Sequence, residues 1–238
     1  MTQTDIAALL NCTVKLKFHF YVVALRTRVE VINAYLNEKI ADLTGPAKST
    51  AFYKMEKDME IMLKIHKKVT DASRLVNGIY GFQELFSFVL YFVLLLSDGY
   101  IVLYSLTIGG DIDFVSVMAI SLKSVVFHLI ELLIDLRACM LLCAKVNHTK
   151  NVLFKIKIEP ENEEARNIVM VAVFKLMHDK LVLTACDLFS MDFSFLFSMF
   201  ASVTTYLLIL LQFDIDAAKS RMAALKANLT STQYEEVE

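Results

Sequence analysis

LFSFVLYFVLLLSDGYIVLYSL, residues 85–106, carries one charge, Asp98, in an otherwise apolar run. A helix rises about 1.5 Å per residue, so about 20 such residues cross a hydrocarbon core roughly 30 Å thick. A helix in water keeps one wet face, and this stretch has none. It reads as a membrane span. Two further runs repeat the pattern: Phe114 to Leu133, which holds Lys123, His128 and Glu131, and Leu188 to Phe213, whose one charge is Asp192. The predicted fold class is an all-α membrane protein: three transmembrane helices, residues 85–106, 114–133 and 188–213, with long cytoplasmic helical extensions in 1–84 and 134–187 and an extracellular tail in 214–238.

Composition agrees. Of 238 residues, 56% are hydrophobic and 21% charged, with a mean hydropathy of +0.52. That exceeds the apolar share of a soluble domain and excludes disorder. Six Gly, two Pro and four Cys exclude a collagen-like chain or a disulfide scaffold. A net charge of −2 supplies no basic field, so no nucleic-acid partner is expected. Cys12, Cys139, Cys143 and Cys186 form no C-x-x-C pair, and residues 1–5 lack the basic start of a signal peptide.

Lys and Arg set the orientation. None occurs from Leu75 to Leu122, and the turn Thr107 to Asp113 carries Asp111 and Asp113 instead. Lys64, Lys67, Lys68 and Arg74 precede the first span, and Lys145, Lys150, Lys155, Lys157, Arg166, Lys175 and Lys180 lie between the second and third. Cytoplasmic loops are enriched in these residues, which places the N-terminus and the 134–187 connection in the cytoplasm and the C-terminus outside. Sequons at Asn11, Asn147 and Asn228 fall on both sides and decide nothing.

The segments outside the spans also have helical periods. Phe18, Val22, Leu25, Val29, Ile32 and Leu36 recur at steps of three and four, among charges that make a poor span. Gly45-Pro46 breaks that helix; Phe52, Met55, Met59, Met62, Val69 and Val76 continue in a second one, with Glu60 and Lys64 as an i,i+4 pair. The second span extends through Asp135 and Arg137 to Ala144, residues 159–164 are the most loop-like, and Asn162 or Glu163 begins a helix over Ala165–Asp179.

Chemistry-bearing groups are sparse. At 100° per residue, Ser190, Ser194, Ser198, Ala201, Thr205 and Gln212 fall within about 80° of arc, a stripe that suits close helix packing or a water-facing wall. His128, Glu131 and Asp135 share one side of the second span; a polar network explains them without a metal, and no metal or cofactor is expected. Asp98, beside Gly99 and Tyr100, is either an interfacial acid or part of the wall of an outward-opening ligand cavity. Asp192 suits a helix cap or an interhelical hydrogen bond. No G-x-S-x-G, H-E-x-x-H, Walker or dinucleotide motif occurs, and the chain is not read as an enzyme.

The run Thr205-Tyr206-Leu-Leu-Ile-Leu-Leu-Gln212-Phe213 resembles the T-Y, five apolar, Q-F hallmark of the insect gustatory receptors. Upstream, Ala185-Cys186-Asp187-Leu188-Phe189 resembles their A-C-G-h-F approach, with Asp187 where Gly is usual, and Met191-Asp192 their following h-D. The likeness continues loosely upstream through Arg28 and Asn33. It implies seven membrane helices, of which this chain holds the last three, with Val14–Leu36 as the cytoplasmic end of the fourth; a truncated product or partial gene model is expected. It further implies a multi-pass plasma-membrane subunit of a homo- or hetero-tetrameric, tastant-gated cation channel in membrane lipid. Ser198, Ser202, Thr205, Gln212 and Phe213 would line or gate the pore of its last helix, and Phe213 would close it by dewetting. The alternative is a non-conducting subunit that co-assembles with full-length receptors and modulates them.

Overall fold

The computed structural model describes residues 3–42, 48–108, 112–155 and 163–235. Five helices run in chain order: α1 (Gln3–Asp42), α2 (Lys48–Ile108), α3 (Ile112–Phe154), α4 (Glu163–His178) and α5 (Phe193–Glu235). Between α4 and α5 lies a small antiparallel hairpin, β1 (Thr184–Ala185) and β2 (Phe189–Ser190), with Thr184 opposite Ser190 and Ala185 opposite Phe189. Three helices are long and apolar enough to cross a membrane, with apolar segments in Met59–Leu106, Val115–Phe154 and Phe193–Leu225. The breaks expected at Gly45-Pro46, at the turn around Gly109–Asp111 and in residues 159–162 lie outside the described residues.

The chain divides into two compact units, Met1–Phe86 with Leu133–Phe193, and Ser87–Leu132 with Ser194–Glu238. In the first unit the apolar period of α1 is its packing face: Phe18, Val22, Val29, Ile32 and Leu36 are buried. Ile32 and Leu36 join Met59 of α2, Val152 and Leu153 of α3, and Val169, Ala172 and Val173 of α4 in one core. Steps of three and four bring Ile32 and Leu36 to one side of α1 and Val169, Ala172 and Val173 to one side of α4, and burial of this cluster is the main source of cohesion. A polar seam crosses that core. Asn33 Nδ2 donates to the Lys145 carbonyl at 3.0 Å, and Thr149 Oγ1 donates to Asn33 Oδ1 at 2.8 Å.

The second unit packs through aromatic contacts. Phe88 and Phe195 meet at 5.0 Å between ring centroids and Phe92 and Tyr206 at 6.0 Å, both with edge geometry. Several large apolar side chains on this part of α2 and α3, among them Val89, Val93, Val117, Ile120 and Phe127, are exposed, as lipid-facing side chains are.

One expected boundary moves. The third span was read from Leu188, but residues 188–192 form the end of the hairpin and α5 starts at Phe193. Short apolar runs fit a strand or a helix equally, and here the turn chemistry decides. The helix expected to begin at Asn162 or Glu163 is α4, which starts at Glu163 and ends at His178, one residue before the expected Asp179.

Candidate functional site

The hairpin that precedes α5 is built around a tight turn. Leu188 N–H donates to the Ala185 carbonyl at 3.0 Å, and the two central residues have positive φ, 51° at Cys186 and 57° at Asp187. Two left-handed residues in succession make a type I′ turn, the connection whose twist matches paired strands. Asp187 therefore occupies a conformation that favours Gly, and Asp is among the few other residues that tolerate it. Its Oδ1 also accepts a hydrogen bond from Thr184 Oγ1 at 2.8 Å.

Two asparagines hold the strand leading into this turn. Asn147 of α3 accepts from Leu181 N–H at 3.0 Å and donates to the Leu181 carbonyl at 2.8 Å. Asn77 of α2 accepts from Thr184 N–H at 3.0 Å and donates to Thr184 Oγ1 at 3.3 Å. One turn along α2 from Asn77, Gly81 lets the hairpin backbone approach, since a Cβ there would stand 3.3 Å from the Cys186 nitrogen. The sequon at Asn147 is thus occupied by structure: its amide is engaged and its Thr149 is buried. The clamps were missed in the sequence because a lone Asn on a helix carries no pattern.

Asp192 stands directly before α5, at the capping position, and its Oδ2 accepts from Ser190 Oγ at 2.6 Å. Ala185 is fully buried, Cys186 exposed and Phe189 half-buried. Ser190, assigned to the stripe from spacing, belongs to β2 rather than to the helix.

On α5 the faces separate. Leu196, Met199 and Val203 are buried. At 100° per residue this line lies about 170° around the helix from the centre of the Ser194–Ser198–Ala201–Thr205–Gln212 stripe. All five stripe residues, and Ser202 beside them, are exposed. Ser198, Ser202 and Thr205 each donate to the carbonyl four residues back, at 3.0, 3.0 and 2.8 Å. The stripe therefore does not pack within this chain. Phe213 is 71% exposed, whereas Tyr206 is edge-on to Phe92.

Tyr100, near the C-terminal end of the α2 apolar run, donates its hydroxyl to Asp214 Oδ2, on the residue after Phe213. Asp98 is half-buried two residues earlier. Of the two candidates for a ligand-cavity wall, Asp98 and Tyr100, the structure gives Tyr100 a partner on α5. His128 Nδ1 and Glu131 Oε2 stand 3.3 Å apart, and Tyr91 lies against the His128 ring at 5.9 Å. No group of three potential metal ligands occurs among the described residues.

Residues 6–216 match the family model described as 7tm Chemosensory receptor. The chain is 27% identical over 160 residues to Gustatory receptor 68a of Drosophila melanogaster, covering 66% of this chain and 41% of that protein. It is 27% identical over 169 residues to Gustatory and pheromone receptor 32a of the same fly, covering 71% and 34%. Over 162 residues it is 28% identical to High-energy light unresponsive protein 1 of Caenorhabditis elegans, covering 64% and 36%. The chain thus spans about two fifths of the length of these relatives, or less. The match covers α2, α3 and α4 whole, the hairpin, and α5 through Gln212 and Phe213, within a receptor family rather than an enzyme family. The chain belongs to the 7tm chemosensory receptor family.

Proposed function

We propose that this chain is a subunit of a gustatory receptor in the plasma membrane, a tastant-gated, non-selective cation channel whose pore wall is the outward face of α5. One observation carries the reading. The hydroxyl and amide stripe of α5 is exposed and points away from the face by which the helix packs on its own chain. Such a face meets lipid, water or another copy. Gln212 discriminates among these: no hydrogen bond to its amide occurs among the described residues. An amide left unpaired in hydrocarbon costs roughly 4–8 kcal/mol, so water or a second subunit is the stable environment.

In this reading several copies place their stripes around one conduit. Phe213 narrows its outer end and closes it by excluding water, and Gln212, about 100° away on the same helix, replaces it on a modest rotation. Relatives with gustatory names support tastants as the ligand class. The N-terminus inside and C-terminus outside follow from the Lys and Arg distribution.

The test is electrical. The chain is expressed alone and with a full-length relative, and currents are recorded during perfusion with a panel of tastants. Expected are tastant-evoked cation currents that Phe213→Asp in this chain makes constitutive or abolishes. Cysteines placed at Ser198, Ser202, Thr205 and Gln212 should react with aqueous thiol reagents when tastant is present. Currents indifferent to Phe213→Asp, with unreactive cysteines, overturn the pore assignment; a changed tastant response under those conditions establishes the modulatory subunit instead.

A further inference from the structure

In the first unit, α2 and α4 leave between them a cavity of about 630 Å³, lined by Glu60, Leu63, Lys64, Lys67 and His66 on α2 and by Ala172, Lys175, Leu176 and His178 on α4, with Asp179 just beyond. The steps 60, 63, 64, 67 and 172, 175, 176, 179 are each one helix face, so two regular faces form the walls. Leu63, Ala172 and Leu176 make an apolar floor, and the rim is basic. Both acids are already engaged. Glu60 Oε1 lies 2.7 Å from Lys64 Nζ, and Asp179 Oδ1 lies 2.5 Å from Nη2 of Arg74, which does not line the cavity. Lys67 and Lys175 have no carboxylate partner among the described residues. His178 Nδ1 donates to the Phe174 carbonyl at 3.0 Å, leaving Nε2 for a second partner.

We propose that this cavity binds a soluble small molecule carrying two or more phosphates, held by Lys67 and Lys175 with Lys64 and His178 at its edge. The size is that of a small-molecule site, which runs from about 300 to 1,000 Å³. Convergent ammonium groups from two helices match clustered phosphate oxygens, and the apolar floor suits the ring to which the phosphates are attached. Geometry selects the soluble form over a lipid headgroup. Lys67 precedes the apolar run at Leu85 by a length of helix of about 27 Å, whereas the headgroup layer is only about 5–8 Å deep. The same charge count that places this unit in the cytoplasm places the cavity where nucleotides and phosphorylated sugars are abundant.

The binding test needs no channel activity, so its failure is separate from failure of the pore reading. The purified full chain in neutral-lipid nanodiscs is titrated calorimetrically with ATP, inositol hexakisphosphate and inorganic pyrophosphate, and with a poly-glutamate peptide. Nanodiscs containing phosphatidylinositol bisphosphate form a separate arm, read by displacement. Expected is saturable binding of at least one phosphate probe, weakened at least tenfold by Lys67→Glu with Lys175→Glu and unchanged by Lys68→Glu, which is exposed outside the cavity. Lys67→Gln with Lys175→Gln, a milder pair checked for helicity, should weaken it at least threefold. No saturable binding, equal binding by the variants, preference for poly-glutamate, or binding confined to the phosphoinositide nanodiscs overturns the proposal.

Discussion

Asp187 combines strain and support in one side chain. A left-handed residue other than Gly costs roughly 1–2 kcal/mol, less for Asp, and its bond to Thr184 Oγ1 offsets part of that. Asp187→Gly relieves the strain and loses the bond, so its stability should fall within about 0.5 kcal/mol of the parent, while Asp187→Val should cost about 1–2 kcal/mol. Thermal unfolding in detergent distinguishes them. Glu84 is a different case: it is 1% exposed, and neither carboxylate oxygen has a hydrogen-bond partner among the described residues. Asp135 and Lys15 are the charges that act on it. A buried polar group without partners costs about 1–3 kcal/mol, so Glu84→Met should raise the unfolding temperature by several degrees. A fall would overturn this account of the carboxyl as a net cost. His66, well outside the spans, is pushed below its ordinary value by burial, against the opposing pull of the Val146 carbonyl and Asp179. The unfolded chain then takes up the proton first. Stability is fully present above about pH 7 and falls as pH drops through about 6.5 towards the folded value. His66→Gln, which keeps a donor for the Val146 carbonyl, should flatten that slope in pH-dependent melting curves.

Tyr100 and Asp214 tie α2 to α5 one residue beyond Phe213. A hydrogen bond to a charged group contributes about 1.5–3 kcal/mol, so Tyr100→Phe frees the outer part of α5 and should lower the half-maximal tastant concentration about tenfold or more. Asp214→Asn keeps an acceptor and should shift it less; equal, unshifted dose–response curves would exclude a latch. This element pair also shows what a single sequence can and cannot yield. The presence of three helices long and apolar enough to cross a membrane was legible because a long apolar run has one stable solvent. The α1 face was legible because Phe18, Val22, Val29, Ile32 and Leu36 keep a helical period. The stripe on α5 was legible for the same reason, apart from Ser190. The start of α5 was not, because Leu188, Phe189 and Met191 are apolar in either conformation. Asp187 in place of the usual Gly was the one local clue to the turn, since Asp tolerates positive φ. Tyr100 meets Asp214 across 114 positions, and Asn77 meets Thr184 across 107. Contacts that distant leave no periodic trace, so the tie between helices had to come from the structure.

At the scale of the molecule, the open question is what covers the outward face of α5. The energetic argument is uneven along its length. Ser198, Ser202 and Thr205 are satisfied by their own backbone, so lipid at these positions costs little. Gln212 is the residue that pure lipid penalises. In the proposed channel, association of copies into a tetramer, or with related subunits, would remove that penalty and create a conduit in the same step. Two changes separate cohesion from conduction. Gln212→Leu removes the polar group that disfavours the isolated chain, and should shift cross-linked tetramers towards smaller species as well as reducing current. Ser198→Leu with Ser202→Leu and Thr205→Leu leaves Gln212 in place. It should keep the tetramer and reduce tastant-evoked current at least tenfold, because three leucines per copy narrow and dry the wall. Full current through tetramers carrying all three leucines would show that the hydroxyls face lipid, and the conduit would have to lie along another helix.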